Sequence, residues 1–300
     1  VALNGPWSRE VQPNIPISVD EIVGEGIACA KDGAAIIHVH AYDEATGRQR
    51  DDWEIYARII EGIRASVDAI VYPTIPLAGS ADAEKPMSAE ERFAAVEQLA
   101  RRGLIEWSIV DPGSVNFAHY DWIAEGRSGF VYLNPDDHVR YGLQLAARYG
   151  FHPSYACYEP GFVRLGAAMR REVPAAPTPV YRMLMSEGFT FSFPPRDYAL
   201  DAYLRLLGEE APGAPWMAAG LAVDIRPLIE ETVARGGHVR VGLEDAPHGW
   251  DGDNISLIAD ALKAILNAGG EPASAADIRR ELADLAGQSR EPAAPSMQSP

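Results

Sequence analysis

Strict alternation of apolar and polar positions marks two stretches of this chain, and helical spacing fills much of the rest. Residues 236–245 read GGHVRVGLED, with His238, Arg240, Gly242 and Glu244 on one parity and Val239, Val241 and Leu243 on the other. Side chains two apart in a strand share a face. One face is therefore apolar and the other carries a cation and a carboxylate. Residues 33–40 read GAAIIHVH, which places Ile37 and Val39 on one face and Ile36, His38 and His40 on the other. Both runs suit strands that pack apolar side chains outward on helices and turn polar ones inward.

The remaining pattern alternates between the two periods. A first strand is expected over 1–4, ending at Asn4-Gly5-Pro6. Ser18 and Glu21 have capping-box spacing and open a helix reaching about Lys31. Trp53, Ile55, Tyr56, Ile59, Ile60 and Ile63 recur at helical spacing. Further strands are expected over 69–74, 105–110, 154–157, 180–185 and 216–219, and helices over 88–102, 135–149, 162–171, 198–207, 225–234, 255–268 and 274–285. The aromatic, irregular segment 114–133 is expected to form a loop or hairpin over one end of the fold. Phe189, Phe191 and Phe193 alternate like a strand edge that another subunit would cover. About eight strand–helix units is the count of a (β/α)8 TIM barrel. We expect one such domain over 1–286, with an additional C-terminal helix and a loose tail, rich in Ser, Pro, Ala and Gln, over 287–300. An open doubly wound sheet is the alternative, but Asn4-Gly5-Pro6-Trp7 is not its glycine-rich first turn.

Composition narrows the partners. The net charge is −17, which speaks against nucleic acid and anionic membrane as partners. Two cysteines, Cys29 and Cys157, make no disulfide framework and fit a reducing cytoplasm. No apolar run is long enough to span a bilayer, and no signal peptide is evident. The sequence opens at Val1 inside a strand-like run, so a trimmed start or shifted numbering is expected.

The chemistry lies where the two alternating runs end. Barrels of this class keep their active sites at the C-terminal ends of the strands. His38 and His40 sit at such an end, as do Glu244 and Asp245. Two imidazoles and a carboxylate, with open positions left, form the ligand pattern of a catalytic zinc site. The plainer reading is that each His is a hydrogen-bonded core or rim residue. Asp111, at the end of the fourth strand, is a pocket residue or a turn former before Pro112; Ser114 lines the mouth or belongs to the loop. His119, His138, His152 and His248 have no partner at ligand spacing and read as surface or structural, and His238 reads as structural because it lies at the beginning of its strand, far from the C-terminal rim.

Five stretches together carry a resemblance: QPNIP at 12–16, GAAIIHVH at 33–40, GSVNF at 113–117, GGHVRVGLED at 236–245 and Asp253-Asn254. They resemble the β-keto acid cleavage enzymes over most of the chain. The resemblance implies a homo-oligomeric barrel, a homotetramer or homodimer, with a divalent metal, normally zinc. It also implies that a β-keto acid and acetyl-CoA give acetoacetate and a new acyl-CoA through a retro-Claisen step. By position, His38, His40 and Glu244 are similar to the metal ligands, Asp245 to the catalytic carboxylate, Arg240 to the cation beside it, and Thr74 to a hydroxyl that contacts substrate. Departures lie at Asn4-Gly5-Pro6-Trp7, at Ala41-Tyr42-Asp43, at Ile109 and at 220–223, where the family carries other polar groups. Trp7 and Tyr42 then make a more aromatic, less polar pocket, with Asn4 and Tyr42 among the substrate-binding residues, and a keto acid other than the aminated one is expected. A metal-dependent barrel hydrolase and a non-catalytic metabolite-binding barrel remain as other readings.

Overall fold

A computed structural model describes residues 1–77 and 87–288 of the chain. Ile36–Val39 and Ile70–Pro73 pair in parallel, with His38 opposite Tyr72. Five further strands, Trp107–Ile109, His152–Cys157, Val180–Met185, Trp216–Gly220 and His238–Val239, pair in parallel in that order. Ala2 joins the two sheets. It bridges in parallel to His38, and its N–H donates to the Val241 carbonyl at 2.9 Å. The strand order is that of the expected eight-stranded barrel, with residues 1–4 supplying the first position. Among the described residues the ladder has one seam, between Ile70–Pro73 and Trp107–Ile109, where the Tyr72 and Trp107 rings meet at 6.0 Å between centroids.

Helices cover the strands as the spacing predicts. Ser18 caps Val19–Lys31 with both bonds of the capping box, and Ile22 and Cys29 of that helix are fully buried. Trp53–Arg64 buries Tyr56, Ile59, Ile60 and Ile63. Asp253 caps Asn254–Asn267. The outward valines behave as their parity requires: Val239 and Val241 face Ile258, Leu262 and Ile265 across a cavity of about 330 Å3. No helix among the described residues is long and apolar enough to cross a membrane.

Four local expectations are corrected or sharpened. The helix expected over 88–102 is two, Ala89–Arg92 and Ala94–Arg101, parted at the buried Phe93. The aromatic segment is a hairpin, Val115–Phe117 with Phe130–Tyr132, carrying a short helix Tyr120–Ala124. Phe189 and Phe191 are not a subunit edge. They are buried within the chain and pack on Phe117 at 5.5 and 4.8 Å between centroids, fastening the hairpin to the loop after Val180–Met185. The C-terminal helix Ala275–Gln288 runs slightly past the expected boundary, and residues 289–300, with most of the expected tail, lie outside the described residues.

The last alternating run departs from a strand for a steric reason. Its ladder covers only His238–Val239. Gly242 then takes φ +148°, and a Cβ there would lie 2.0 Å from the Ala2 carbonyl oxygen. Only glycine lets the two backbones approach so closely. The N–H groups of Asp245 and Ala246 both donate to the Gly242 carbonyl, each at 3.0 Å, and the chain turns there. The turn brings two consecutive acidic residues to the same arginine.

Candidate metal centre and active site

His38 and His40 leave the Ile36–Val39 strand on its inward parity, and both are buried. On the other side of Ala2, Glu244 follows the turn at Gly242. The Nε2 atoms of His38 and His40 each stand 3.5 Å from Glu244 Oε2. A tetrahedral ion with bonds of about 2.0–2.1 Å sets its ligand atoms about 3.3–3.4 Å apart, so the spacing matches. His40 Nε2 and Glu244 Oε2 are buried and have no hydrogen-bond partner. Buried polar atoms left unpaired are rare and need a cause. A cation shared by these three side chains would supply one.

The protonation states favour ligation. Burial pulls the His38 pKa well below the usual histidine range, although Glu244 opposes it. Burial pushes the Glu244 carboxyl up, but Arg240, His38 and His40 together outweigh that and hold it well below the usual range. His38 is therefore a neutral imidazole and Glu244 a carboxylate. His40 is oriented from behind: its Nδ1 lies 2.8 Å from Gln49 Oε1. Gln49 Nε2 donates to the Asp51 carboxylate at 2.9 and 3.0 Å, which fixes the amide's direction. An amide oxygen only accepts, so His40 Nδ1 carries the proton and Nε2 presents its lone pair.

Arg240 organises the acidic pair. Its Nε donates to Asp245 Oδ2 at 2.8 Å, and its Nη2 to Asp245 Oδ1 at 2.5 Å and Glu244 Oε1 at 2.9 Å. Its Nη1 is buried with no partner. Burial pushes the Asp245 pKa up to about 6 even against the pull of Arg240. Such a carboxylate can take and return a proton near neutral pH.

Loops hold the pair in place. Trp7 Nε1 donates to the Glu244 carbonyl at 2.9 Å, and Gln12 Nε2 to the Leu243 carbonyl at 2.9 Å. Asn254 accepts from the Leu243 N–H at 2.8 Å and donates to the Leu3 carbonyl at 2.9 Å. Gln12 and Asn254 belong to two of the stretches that carried the resemblance, and their contacts show what such residues do here.

The expected substrate wall is distributed differently. Asn4 is fully buried and clamps His40: its Nδ2 donates to the His40 carbonyl at 3.0 Å and its Oδ1 accepts from the His40 N–H at 2.9 Å. The Tyr42 hydroxyl donates to the carbonyls of Gly5 and Trp7. Ser114 Oγ accepts the Asn134 N–H at 2.8 Å and closes the hairpin. Each of the three holds main-chain groups in place: Asn4 those of His40, Tyr42 those of Gly5 and Trp7, and Ser114 that of Asn134. Thr74 is half-buried at the end of its strand, its hydroxyl only 3.4 Å from the Ile75 carbonyl. Asp111 is no simple turn former. It is buried, accepts from Tyr132 Oη and the Ala156 N–H, each at 2.7 Å, and faces Arg182. Sequence reading missed Gln49 and Arg182. The signal for Arg182 was present, as a lone charge inside the otherwise buried run of Val180–Met185.

Comparison with known proteins places this arrangement. The model of the beta-keto acid cleavage enzyme family matches residues 1–283. The chain belongs to this family. As a beta-keto acid cleavage enzyme family member, it is similar to the 3-dehydrocarnitine:acetyl-CoA trimethylamine transferase of Rhizobium meliloti (strain 1021), at 22% identity over 282 residues and 90% of each chain. It is also similar to the 3-oxoadipate:acetyl-CoA acetyltransferase of Cupriavidus necator, at 26% identity over 251 residues, 82% of this chain and 78% of that one. Among solved structures, ObcA in its apo form superposes with a TM-score of 0.69 at 15% identity, over 90% of this chain and 66% of that one. The family member thus spans slightly less than two thirds of ObcA. The type I 3-dehydroquinate dehydratase of Clostridium difficile gives a TM-score of 0.53 at 10% identity, over 89% of this chain and 90% of that one. At such identities these two structures support the barrel-like α/β fold alone.

Proposed function

We propose that this chain is a divalent-metal-dependent acyltransferase that converts a β-keto acid and acetyl-CoA into acetoacetate and a new acyl-CoA. The observation that carries the reading is the meeting of His38, His40 and Glu244, whose ligand atoms all lie within 4.8 Å of one another, beside the Arg240–Asp245 pair. The names of the relatives, each an acetyl-CoA-dependent transferase, supply the co-substrate. His38, His40 and Glu244 hold the ion, which we take to be zinc. Once bound, it polarises the keto oxygen and stabilises negative charge there.

The chain's own residues then do the proton work. Asp245 takes a proton from the carbon between the keto and carboxylate groups. That carbon bonds to the acetyl carbonyl carbon, and CoA thiolate leaves. The thiolate adds to the acid's own keto carbon. The bond from that carbon to the central one breaks, leaving its electron pair on what becomes acetoacetate. Asp245 returns the proton to the same carbon. Arg240 keeps both Asp245 oxygens aimed, and its Nη1, which has no hydrogen-bond partner, is available to developing anionic charge. We place the enzyme in the cytoplasm as a homo-oligomer; Cys29 and Cys157, both free and buried, suit a reducing compartment.

The test is incubation with acetyl-CoA and a panel of β-keto acids, following acetoacetate. Asp245→Asn should keep its metal and lose turnover by at least about 10²-fold. Turnover at the wild-type rate by that variant removes Asp245 from the mechanism. Release of carboxylate from amides, with no acetoacetate from any keto acid, makes the protein a hydrolase.

A further inference from the structure

The two imidazoles of the proposed metal centre are held in different ways. His40 has Gln49 behind it, 2.8 Å from its Nδ1, and Asn4 clamps its main chain. His38 has no counterpart to Gln49. Its Nδ1 is buried with no hydrogen-bond partner. A ligating histidine ordinarily donates its second ring N–H, and that bond fixes the angle of the ring. Without it, no polar contact stops the His38 imidazole from turning about its Cβ–Cγ bond and carrying Nε2 away from Glu244 Oε2, 3.5 Å distant.

His38 has a flat neighbour instead. The Tyr72 ring lies 4.6 Å from it between centroids, at an interplanar angle of 33°. Strand register makes this contact: Ile36–Val39 and Ile70–Pro73 pair in parallel with His38 directly opposite Tyr72. Residues opposite each other in a ladder send their side chains to one face, here the inward one. Tyr72 is itself confined. It is 2% exposed, and the Trp107 ring stands 6.0 Å from it, tilted by 46°, across the seam of the ladder. The His40 ring meets His38 nearly at right angles, at 5.1 Å. Turning the His38 imidazole gives up its face contact with Tyr72, so the stack sets the ring angle that a hydrogen bond sets in His40.

Resting on the metal centre proposed above, we infer that Tyr72 is the positioning residue of His38: its ring, stacked on the imidazole, keeps Nε2 turned to Glu244 in place of the hydrogen bond that His38 lacks. The work falls to the ring face and none of it to the phenol hydroxyl. Tyr72→Phe is therefore the conservative variant. Tyr72→Leu removes the stack and keeps an apolar side chain in the wall.

Zinc affinity of the full chain, measured by competition against a chelator of known affinity, tests the assignment. Tyr72→Leu should bind zinc about 3–10-fold more weakly than the wild type, the strength of one aromatic pair. Tyr72→Phe should bind it as the wild type does. The visible spectrum of the cobalt-loaded protein should change in Tyr72→Leu and not in Tyr72→Phe, a response that packing lost away from the ligands would not give. Zinc bound by Tyr72→Leu within about twofold of wild type, or bound as weakly by Tyr72→Phe as by Tyr72→Leu, overturns the role of Tyr72 and leaves the metal centre standing. A wild type with no affinity for zinc or cobalt refutes the centre itself, and the role of Tyr72 with it. Should Tyr72→Leu fail to fold, the metal-free wild type decides. The ring protons of His38, assigned by their loss in His38→Gln, should resonate upfield of the ordinary imidazole position because they lie over the Tyr72 ring; resonance at the ordinary position overturns the stack.

Discussion

Gln49 holds His40 by a single bond, 2.8 Å from its Oε1 to the imidazole Nδ1, and thereby decides which nitrogen of that ring faces Glu244. The glutamine is itself fixed by Asp51, which also accepts from Tyr56 Oη at 2.8 Å. Removing this support releases both the tautomer and the ring angle. Gln49→Ala should weaken divalent metal binding by about 10–100-fold while leaving the far-ultraviolet circular dichroism unchanged. Competition against a chelator of known affinity measures it, and an affinity within twofold of wild type would show that Gln49 has no part in ligation.

The metal should also be visible as stability. An ion bound only by the folded chain raises the melting temperature in proportion to the logarithm of its concentration above the dissociation constant. Chelation should lower Tm, and zinc should restore it. His40→Ala should show neither response, because one of three ligands is gone. A Tm indifferent to chelator and to added zinc in the wild type contradicts the proposed centre.

Gly5 covers the acidic ligand. Its φ is +63°, and a Cβ there would lie 2.7 Å from Glu244 Cγ and 2.9 Å from Trp7 Nε1. Gly5→Ala should destabilise the fold by about 1–3 kcal/mol through backbone strain and lower metal occupancy by displacing Glu244. Gly24, inside the helix Val19–Lys31 and open to space, is the control. Gly24→Ala should stabilise by about 0.5–1 kcal/mol with unaltered metal content. Urea midpoints and metal analysis on the two variants check the pair.

Acid sensitivity should track Glu21. The N–H groups of Ile17 and Ser18, with Arg9, hold its carboxyl at about 2, against an ordinary value of 4.5. A carboxylate depressed on folding stabilises above its unfolded pKa, and that contribution is lost as pH falls through the folded one. The wild type should therefore lose stability progressively from about pH 4.5 towards pH 2. Glu21→Gln should be less stable than wild type at neutral pH, with the gap closing across that window. A constant gap at all pH values would remove Glu21 as the source.

The legible parts of this molecule were those that one period or one motif dictates. The helix start at Ser18 follows from a side chain that accepts a main-chain N–H, and the apolar parity of Ile37 and Val39 follows from burial. His38, His40 and Glu244 were legible because strand spacing and the barrel count place them at one rim. The turn at Gly242 was not, since its cause is the Ala2 backbone, more than two hundred residues earlier. The roles of Asn4, Tyr42 and Ser114 were hidden for the same reason: their partners, His40, Trp7 and Asn134, are fixed by tertiary structure. A polar residue near a rim reads alike whether it meets a ligand or a carbonyl.

Ala2 sits between His38 and Val241, joining the first and last parts of the ring. This imposes an order on biosynthesis. A growing chain that has already emerged as far as His40 displays two of the three proposed ligands, and the third follows only when the segment ending at Glu244 leaves the ribosome. Early and late segments must wait for one another, a long-range dependence of the kind that slows folding. In the proposed metal centre, capture of the cation would then be an event of completion, and a prematurely terminated chain would lack Glu244 to retain it.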